Sequence, residues 1–313
     1  MREHFITLDP NNVLASNWSS STSVCNWIGV TCGSSHRRVT ALNLSGMALD
    51  ATIPPHLGNL SFLSRLHLPN NSFHGTLPAD LAGLRRLTII NLRFNKFTGS
   101  IPSWFEFLPK LEYLLLRGNS FSGTVPHFLF NMTSLQSLEL SENKFWGPLP
   151  SSIFLSPSLK YLYLPNNQLS GDIPSAIIDS SLLQDIILYR NNLSGQLPER
   201  IFHHRPNLEE LYVSWNALSG ELPLSLFDCK QLQYLYLSNN TLGGNIPSAI
   251  GNLTSLKQIY LGFNKFRGAI PNEIGNLRSL EIMNLPFANV SGNSPPSIFN
   301  ISTLQEIDAS QQA

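Results

Sequence analysis

The chain is poor in charge. Only 13% of its residues are charged, 20 basic against 20 acidic, so the net charge is zero and nothing steers it toward nucleic acid. Apolar residues are scattered, and no run approaches the ~20 that a membrane helix needs, so no membrane contact by this chain itself is expected. The opening Met1-Arg2-Glu3-His4-Phe5-Ile6-Thr7-Leu8 lacks the apolar core of a secretion signal. Catalytic constellations are missing too. His203-His204 is the one close histidine pair and has no H-E-x-x-H or C-x-x-C companion. Glu209 and Glu210 occupy adjacent places of a strand, where side chains face opposite ways, which argues against a paired-carboxylate centre. With no glycine-rich phosphate loop and no kinase catalytic-loop or D-F-G motif, the expectation is a non-enzyme without cofactor or metal.

What is present is a repeat. From Val39 onward the pattern L-x-x-L-x-L-x-x-N-x-L-x-G-x-I-P recurs, with openers at Leu63, Leu87, Leu111, Leu135, Leu159, Leu183, Leu208, Leu232, Leu256, Leu280 and Leu304. The spacing is 24 residues, except for 25 between Leu183 and Leu208. Length alone would suggest two globular domains, but a fixed period of this size and wording signals a leucine-rich-repeat solenoid. Within a repeat, Leu232-Gln-Tyr-Leu235-Tyr-Leu237 alternates as a half-buried strand, with Leu235 and Leu237 inward and Tyr234 and Tyr236 outward. An asparagine follows at the ninth place (Asn71, Asn95, Asn119, Asn143, Asn167, Asn191, Asn216, Asn240, Asn264). Buried amides persist only when hydrogen-bonded, so this column should satisfy backbone groups where the chain leaves the strand. Met47 and Ala288 replace it in the first and eleventh repeats. The Gly-x-apolar-Pro step, as in Gly171-Asp-Ile173-Pro174, dictates a short extended segment and then a bend. The remainder of each repeat suits a short 3-10-like turn, and Cys229, in register with Leu253 and Leu277, reads as a buried small hydrophobe.

The predicted fold is therefore an α/β repeat solenoid, a superhelix with a parallel β-sheet on the concave face and short 3-10 or irregular segments on the convex face. Its expected divisions are a partial N-terminal cap over residues 1–38, eleven repeats over 39–303 and a truncated twelfth over 304–313. Apolar residues of the last full repeat, Leu280, Met283, Leu285 and Ile298, are expected to be partly uncovered.

The L-x-G-x-I-P half of the repeat resembles the plant extracellular subtype found in leucine-rich-repeat receptor-like kinase ectodomains, receptor-like proteins and polygalacturonase inhibitors. Asp9-Pro10-Asn-Asn-Val-Leu14-Ala-Ser-Asn-Trp18 and Cys25-Asn-Trp27-Ile-Gly29-Val30-Thr-Cys32 resemble the second half of the receptors' N-terminal cap, whose cysteine pair closes around a tryptophan. A Cys25–Cys32 disulfide would close a small loop and stabilise it by roughly 2.5 kcal/mol in the chain-entropy model. The resemblance implies the extracellular side of the plasma membrane, an oxidising compartment. Ten N-x-[ST] sequons point the same way, and by register Asn59, Asn131, Asn252 and Asn300 on the convex side are the candidate glycosylation sites. At both ends the chain departs from the family pattern, and it reads as an N-terminal piece of a receptor ectodomain.

The outward strand positions carry an aromatic stripe through the sixth to tenth repeats: Tyr161, Tyr163, Tyr189, Tyr212, Trp215, Tyr234, Tyr236, Tyr260 and Phe263. Such residues give large contact area at small entropic cost and anchor recognition surfaces. Arg65, Arg93, Arg117 and Arg190 are candidates for pairing with carboxylates. The expected partner is a peptide or protein segment along the strands, with a co-receptor kinase implied by the family resemblance. The opposing reading has the tyrosines stacking on one another in service of the sheet. The alternatives for the whole chain are a secreted inhibitor resembling the polygalacturonase inhibitors, or a receptor fragment with no function of its own.

Overall fold

A computed structural model describes Asp9 and residues 14–175, 182–203, 206–292 and 294–310. The rest of the expected cap's leading segment, His204 and residues 311–313 lie outside the described residues. The chain divides into two compact units between Trp146 and Gly147.

In the first unit, Val39–Asn43, Arg65–His67, Ile89–Asn91, Tyr113–Leu115 and Ser137–Glu139 form a parallel sheet. Val30–Cys32 adds an antiparallel strand beside Val39–Asn43. In the second unit, Tyr161–Tyr163, Asp185–Ile187, Glu210–Tyr212, Tyr234–Tyr236, Gln258–Tyr260, Ile282–Asn284 and Glu306–Asp308 are all parallel. Each unit is a solenoid whose strands lie on one face and whose 3-10 turns lie on the other. Ala79–Gly83 and Ser103–Phe107 are such turns in the first unit, Leu224–Asp228 and Ser248–Asn252 in the second. Each follows a proline held extended, such as Pro247 at φ −66° and ψ 145°, so the proline that withholds a donor also sets the turn's entry.

The leucines at the first, fourth and sixth places close the core, and Leu232, Leu235 and Leu237 are fully buried. Two residues past each ladder asparagine a second row of apolar residues stacks, and in the first unit the Phe73, Phe97 and Phe121 rings follow one another at 6.1 Å. Cys229 ends the turn Leu224–Asp228 and is buried, as expected. The asparagine column performs the backbone service its place implied. Asn240 donates to the carbonyls of Val213, Leu237 and Ser238 at 3.0–3.4 Å and accepts from the Leu218 amide at 3.0 Å. Asn119 does the same in the first unit with Leu92, Leu116, Arg117 and the Phe97 amide. The first repeat lacks the amide at Met47, but Asn71 of the next repeat reaches back to Leu44 O and the Leu49 amide.

The structure departs from the sequence reading in three ways. First, the residues that lead into the Gly-x-apolar-Pro step are strands themselves: His74–Gly75, Lys96–Gly99 and Ser120–Gly123, each ending at the step's glycine, pair in parallel as a second set of strands in the first unit. Gln168–Asp172 pairs with Asn192–Ser194, and Ser219–Gly220 with Thr241–Leu242, in the second. Second, the residue before the ladder asparagine is left-handed in repeat after repeat, including Phe94, Arg190, Trp215, Phe263 and Phe287 at φ 51–58°. Third, Leu280, Met283, Leu285 and Ile298 are buried, contrary to expectation. Residues 306–308 form a complete strand in register with 282–284, and the exposed apolar side chain is Ile307 in that strand.

The cap follows the expected pattern in its described part. Cys25 and Cys32 are disulfide-bonded, and Trp18 is buried, stacked on Trp27 at 5.0 Å with its indole N–H donating to Ile28 O. The Asp9 carboxylate accepts from the Leu14 and Ala15 amides, which anchors the segment leading to Trp18.

Candidate ligand-recognition surface

Register places the second unit's outward side chains in rows. Tyr161, Asp185, Glu210, Tyr234 and Gln258 face one another across successive strands, and so do Tyr163, Ile187, Tyr212, Tyr236 and Tyr260. The tyrosines do stack: Tyr212 lies on Tyr236 at 4.2 Å with planes 7° apart, and Tyr236 meets Tyr260 edge-on at 4.5 Å. Stacking leaves a wall, and past it the backbone drops into the left-handed column that sends Trp215 and Phe263 outward, about half exposed. Between wall and column lies an open hollow of about 630 Å³. Tyr189, Arg190, Tyr212, Trp215, Tyr236, Tyr260 and Phe263 line it, together with Ser214, Ser238, Asn239 and Asn284. Arg190 holds its guanidinium 5.8 Å from the Trp215 ring, a cation–π contact that positions a donor at the rim.

Tyr161, Tyr163 and Tyr234 share the sheet face but do not line the hollow. Tyr161 stacks on Tyr163, and the Lys257 ammonium sits 5.9 Å from the Tyr234 ring. Arg93 and Arg117 belong to the first unit and are engaged there. Arg93 is ion-paired with the buried Glu139, and Arg117 with Glu142 at 2.7 Å while its guanidinium covers the Phe94 ring at 5.3 Å. Arg93 and Arg117 are therefore already committed to carboxylates of the first unit.

The reading of Glu209 against Glu210 missed the carboxylate that matters. Asp185 and Glu210 are register partners on adjacent strands, and Tyr163 donates its hydroxyl to Asp185. Burial is the main cause that pushes both carboxyls above the ordinary range, and each is raised further by a neighbouring carboxylate, Asp185 by Glu209 and Glu210 by Asp185. Burial likewise raises the phenols of Tyr163, Tyr212 and Tyr260, and that of Tyr236 to about 12, so all four are neutral donors at physiological pH. Tyr236 uses its hydroxyl on Gln258. Asp185 and Glu210 each stand two residues after their openers, Leu183 and Leu208, a pairing across strands that comparing Glu209 with Glu210 along one strand does not reach. Phe287, stacked on Phe263 at 4.9 Å, was also missed, and its signal was its place directly before the ladder position.

The four candidate sequon asparagines, Asn59, Asn131, Asn252 and Asn300, are exposed and each is the last residue of a 3-10 turn. By contrast, Asn17 accepts from the Ile28 amide and Asn289 donates its side-chain N–H to Phe266 O.

The repeat behind this strand face has counterparts in known sequences. The leucine rich repeat family model matches residues 85–145, 157–218, 181–242 and 230–290, which together exceed half of the chain. The chain belongs to the leucine-rich-repeat family. A leucine rich repeat N-terminal domain model matches residues 1–33. Among curated proteins, the LRR receptor-like serine/threonine-protein kinase EFR of Arabidopsis thaliana is 57% identical over 61 residues, which is 20% of this chain and 6% of that protein. Among solved structures, a TDR receptor superposes with a TM-score of 0.82 at 30% identity, over 85% of this chain and 46% of that one. The plant peptide hormone receptor RGFR1 in complex with RGF2 gives 0.76 at 28% identity, over 88% and 47%. This leucine-rich-repeat chain thus spans less than half of these two solved receptors. Among its described residues no helix is long and apolar enough to cross a membrane.

Proposed function

We propose that the chain is the ligand-binding ectodomain portion of a plant receptor-like serine/threonine kinase in immune or developmental signalling, recognising a peptide or protein segment without catalysis of its own. The observation that carries this reading is the aromatic hollow on the sheet face of the second unit, open to solvent and rimmed by Arg190. An extended segment crossing the parallel strands would lay apolar side chains on the Tyr212–Tyr236 wall and in the cleft beside Trp215, and place a carboxylate at Arg190. The bridged cysteines and exposed turn-end sequons support the extracellular side of the plasma membrane. A co-receptor kinase completes the reading by likeness to the receptors, and the glycans are assigned to Asn59, Asn131, Asn252 and Asn300.

Selection of displayed random peptides on the whole chain tests recognition. The reading expects enriched sequences whose affinity falls roughly tenfold or more with Trp215→Ala or Tyr236→Ala, as for buried aromatic anchors. Failure to enrich any sequence, or indifference to both substitutions, would refute it. Immunoblots of membrane and extracellular-fluid fractions test the receptor part, with a membrane-bound band several times heavier than 34.8 kDa expected. A light band in the fluid alone would favour a free-standing inhibitor.

A further inference from the structure

A second surface lies in the first unit, at the edge from which the chain enters each strand. Arg38, Phe62, Arg86 and Lys110 each stand directly before a repeat opener, so they follow one another at intervals of one repeat. The Phe62 ring is flanked by two guanidiniums, Arg38 at 4.6 Å and Arg86 at 4.2 Å from its centroid, and the His36 ring lies 4.6 Å away. Arg37 and Arg85 stand beside the two clamped arginines, and all five basic residues are exposed. Among the described residues none of the five forms an ion pair, although Asp80, Glu106 and Glu112 are near in sequence.

The arrangement holds the charges in place. Arg37 has a left-handed φ of 50° in the turn closed by the Gly33 amide donating to Arg38 O, and that turn hangs from the strand anchored by the Cys25–Cys32 bridge. A guanidinium packed on a ring has already lost rotamer freedom, yet its N–H edges stay available for oxyanions. A quarter of the chain's Lys and Arg residues thus crowd one edge of the first unit, where no ion pair among the described residues offsets their mutual repulsion.

We propose that this Arg38–Phe62–Arg86 clamp, with Arg37, Arg85 and Lys110, is a docking site for an acidic segment of a partner protein. Guanidiniums that lie 4.6 and 4.2 Å from one ring centroid can take two carboxylates of one extended segment. A protein segment fits better than a carbohydrate, because the two faces of Phe62 on which a sugar ring would stack are occupied by the guanidiniums. The site is separate from the aromatic hollow and does not depend on what that hollow binds.

The test is fluorescence anisotropy of a labelled oligoglutamate peptide with the whole chain, at low and physiological salt. Arg38→Gln combined with Arg86→Gln is expected to weaken binding roughly tenfold. Phe62→Leu, which keeps every charge but removes the clamp, is expected to weaken it several-fold. Lys265→Gln with Arg267→Gln, which removes the same net charge from an exposed site in the second unit, should leave affinity unchanged. Unchanged melting temperatures for the variants, whose arginines are exposed, separate lost binding from lost folding. Equal loss in both double variants, no effect of Phe62→Leu, or no peptide binding at low salt would overturn the proposal. So would tighter binding to oligogalacturonate or to anionic phosphatidylserine vesicles than to the peptide.

Discussion

The ladder asparagine is the residue on which the rest depends, because one side chain satisfies four backbone groups of two successive repeats. In Asn240→Ala the Leu218 amide loses its acceptor in a buried site, while the Val213, Leu237 and Ser238 carbonyls each keep another donor, the Asn216 side chain, the Asn264 side chain and the Trp215 amide. A loss of about 1–3 kcal/mol follows from stranding that amide, to be read from urea denaturation. The Asp185–Glu210 pair acts in the opposite sense. Both carboxyls are raised above their unfolded values, so the folded state favours their protonated forms. Their contribution is most favourable below the unfolded pKa values and is lost as pH rises through the higher folded values. Asp185→Asn with Glu210→Gln is therefore expected to raise the melting temperature at pH 7, and the advantage should vanish as pH falls below the ordinary carboxylate range. A melting temperature lowered at pH 7 would contradict this. The asparagines were legible in sequence because they recur at fixed spacing. The carboxylate pair was missed because it joins one place of two successive strands, two residues after Leu183 and Leu208, whereas Glu209 and Glu210 were compared along a single strand.

At the scale of the element, the strand, the second strand and the 3-10 turn each answer to a different part of the repeat. The strand and turn were readable from the leucine alternation and the proline. The second strand was not readable: it leads into the Gly-x-apolar-Pro step, and its pairing requires the same extension in the adjacent repeat at the same height. Ser170 to Asp172 satisfies that against Asn192 to Ser194 in the second unit. The left-handed column was illegible because residues as different as Phe94, Glu142, Asn166 and Trp215 adopt it, so the conformation is imposed by the turn into the ladder and not by local preference. Glycine is needed at one place in the cap. Gly29 has φ 77°, and its carbonyl accepts from the Asn43 amide at 2.7 Å, so that a Cβ there would strike the Asn43 carbonyl oxygen. Gly29→Ala combines left-handed strain with a backbone collision, and a destabilisation of at least ~2 kcal/mol is expected, measured by denaturation and by faster hydrogen exchange in Val30–Cys32. Normal protection there would show that the cap adjusts freely.

Over the whole molecule the repeat arithmetic was almost fully visible, because a solenoid is built from nearest-neighbour contacts and its period is written directly into the chain. Function was less visible, since it resides in side chains that the consensus leaves open. The aromatic stripe could be read, yet sequence could not decide between tyrosines that serve the sheet and tyrosines that serve a ligand. In the structure Tyr212 and Tyr236 stack and at the same time wall an open hollow, so serving the sheet does not close the surface. Arg93 and Arg117, read as ligand contacts, are paired within the first unit, while Arg190 stands at the hollow's rim. The most direct measurement is photo-crosslinking of a display-selected peptide carrying a benzophenone side chain to the whole chain, with the attached residues mapped by mass spectrometry. Crosslinks on residues lining the hollow, centred on Tyr212, Trp215 and Tyr236, are the result expected. Crosslinks confined to the 3-10 face or to the first unit would contradict recognition at the aromatic hollow.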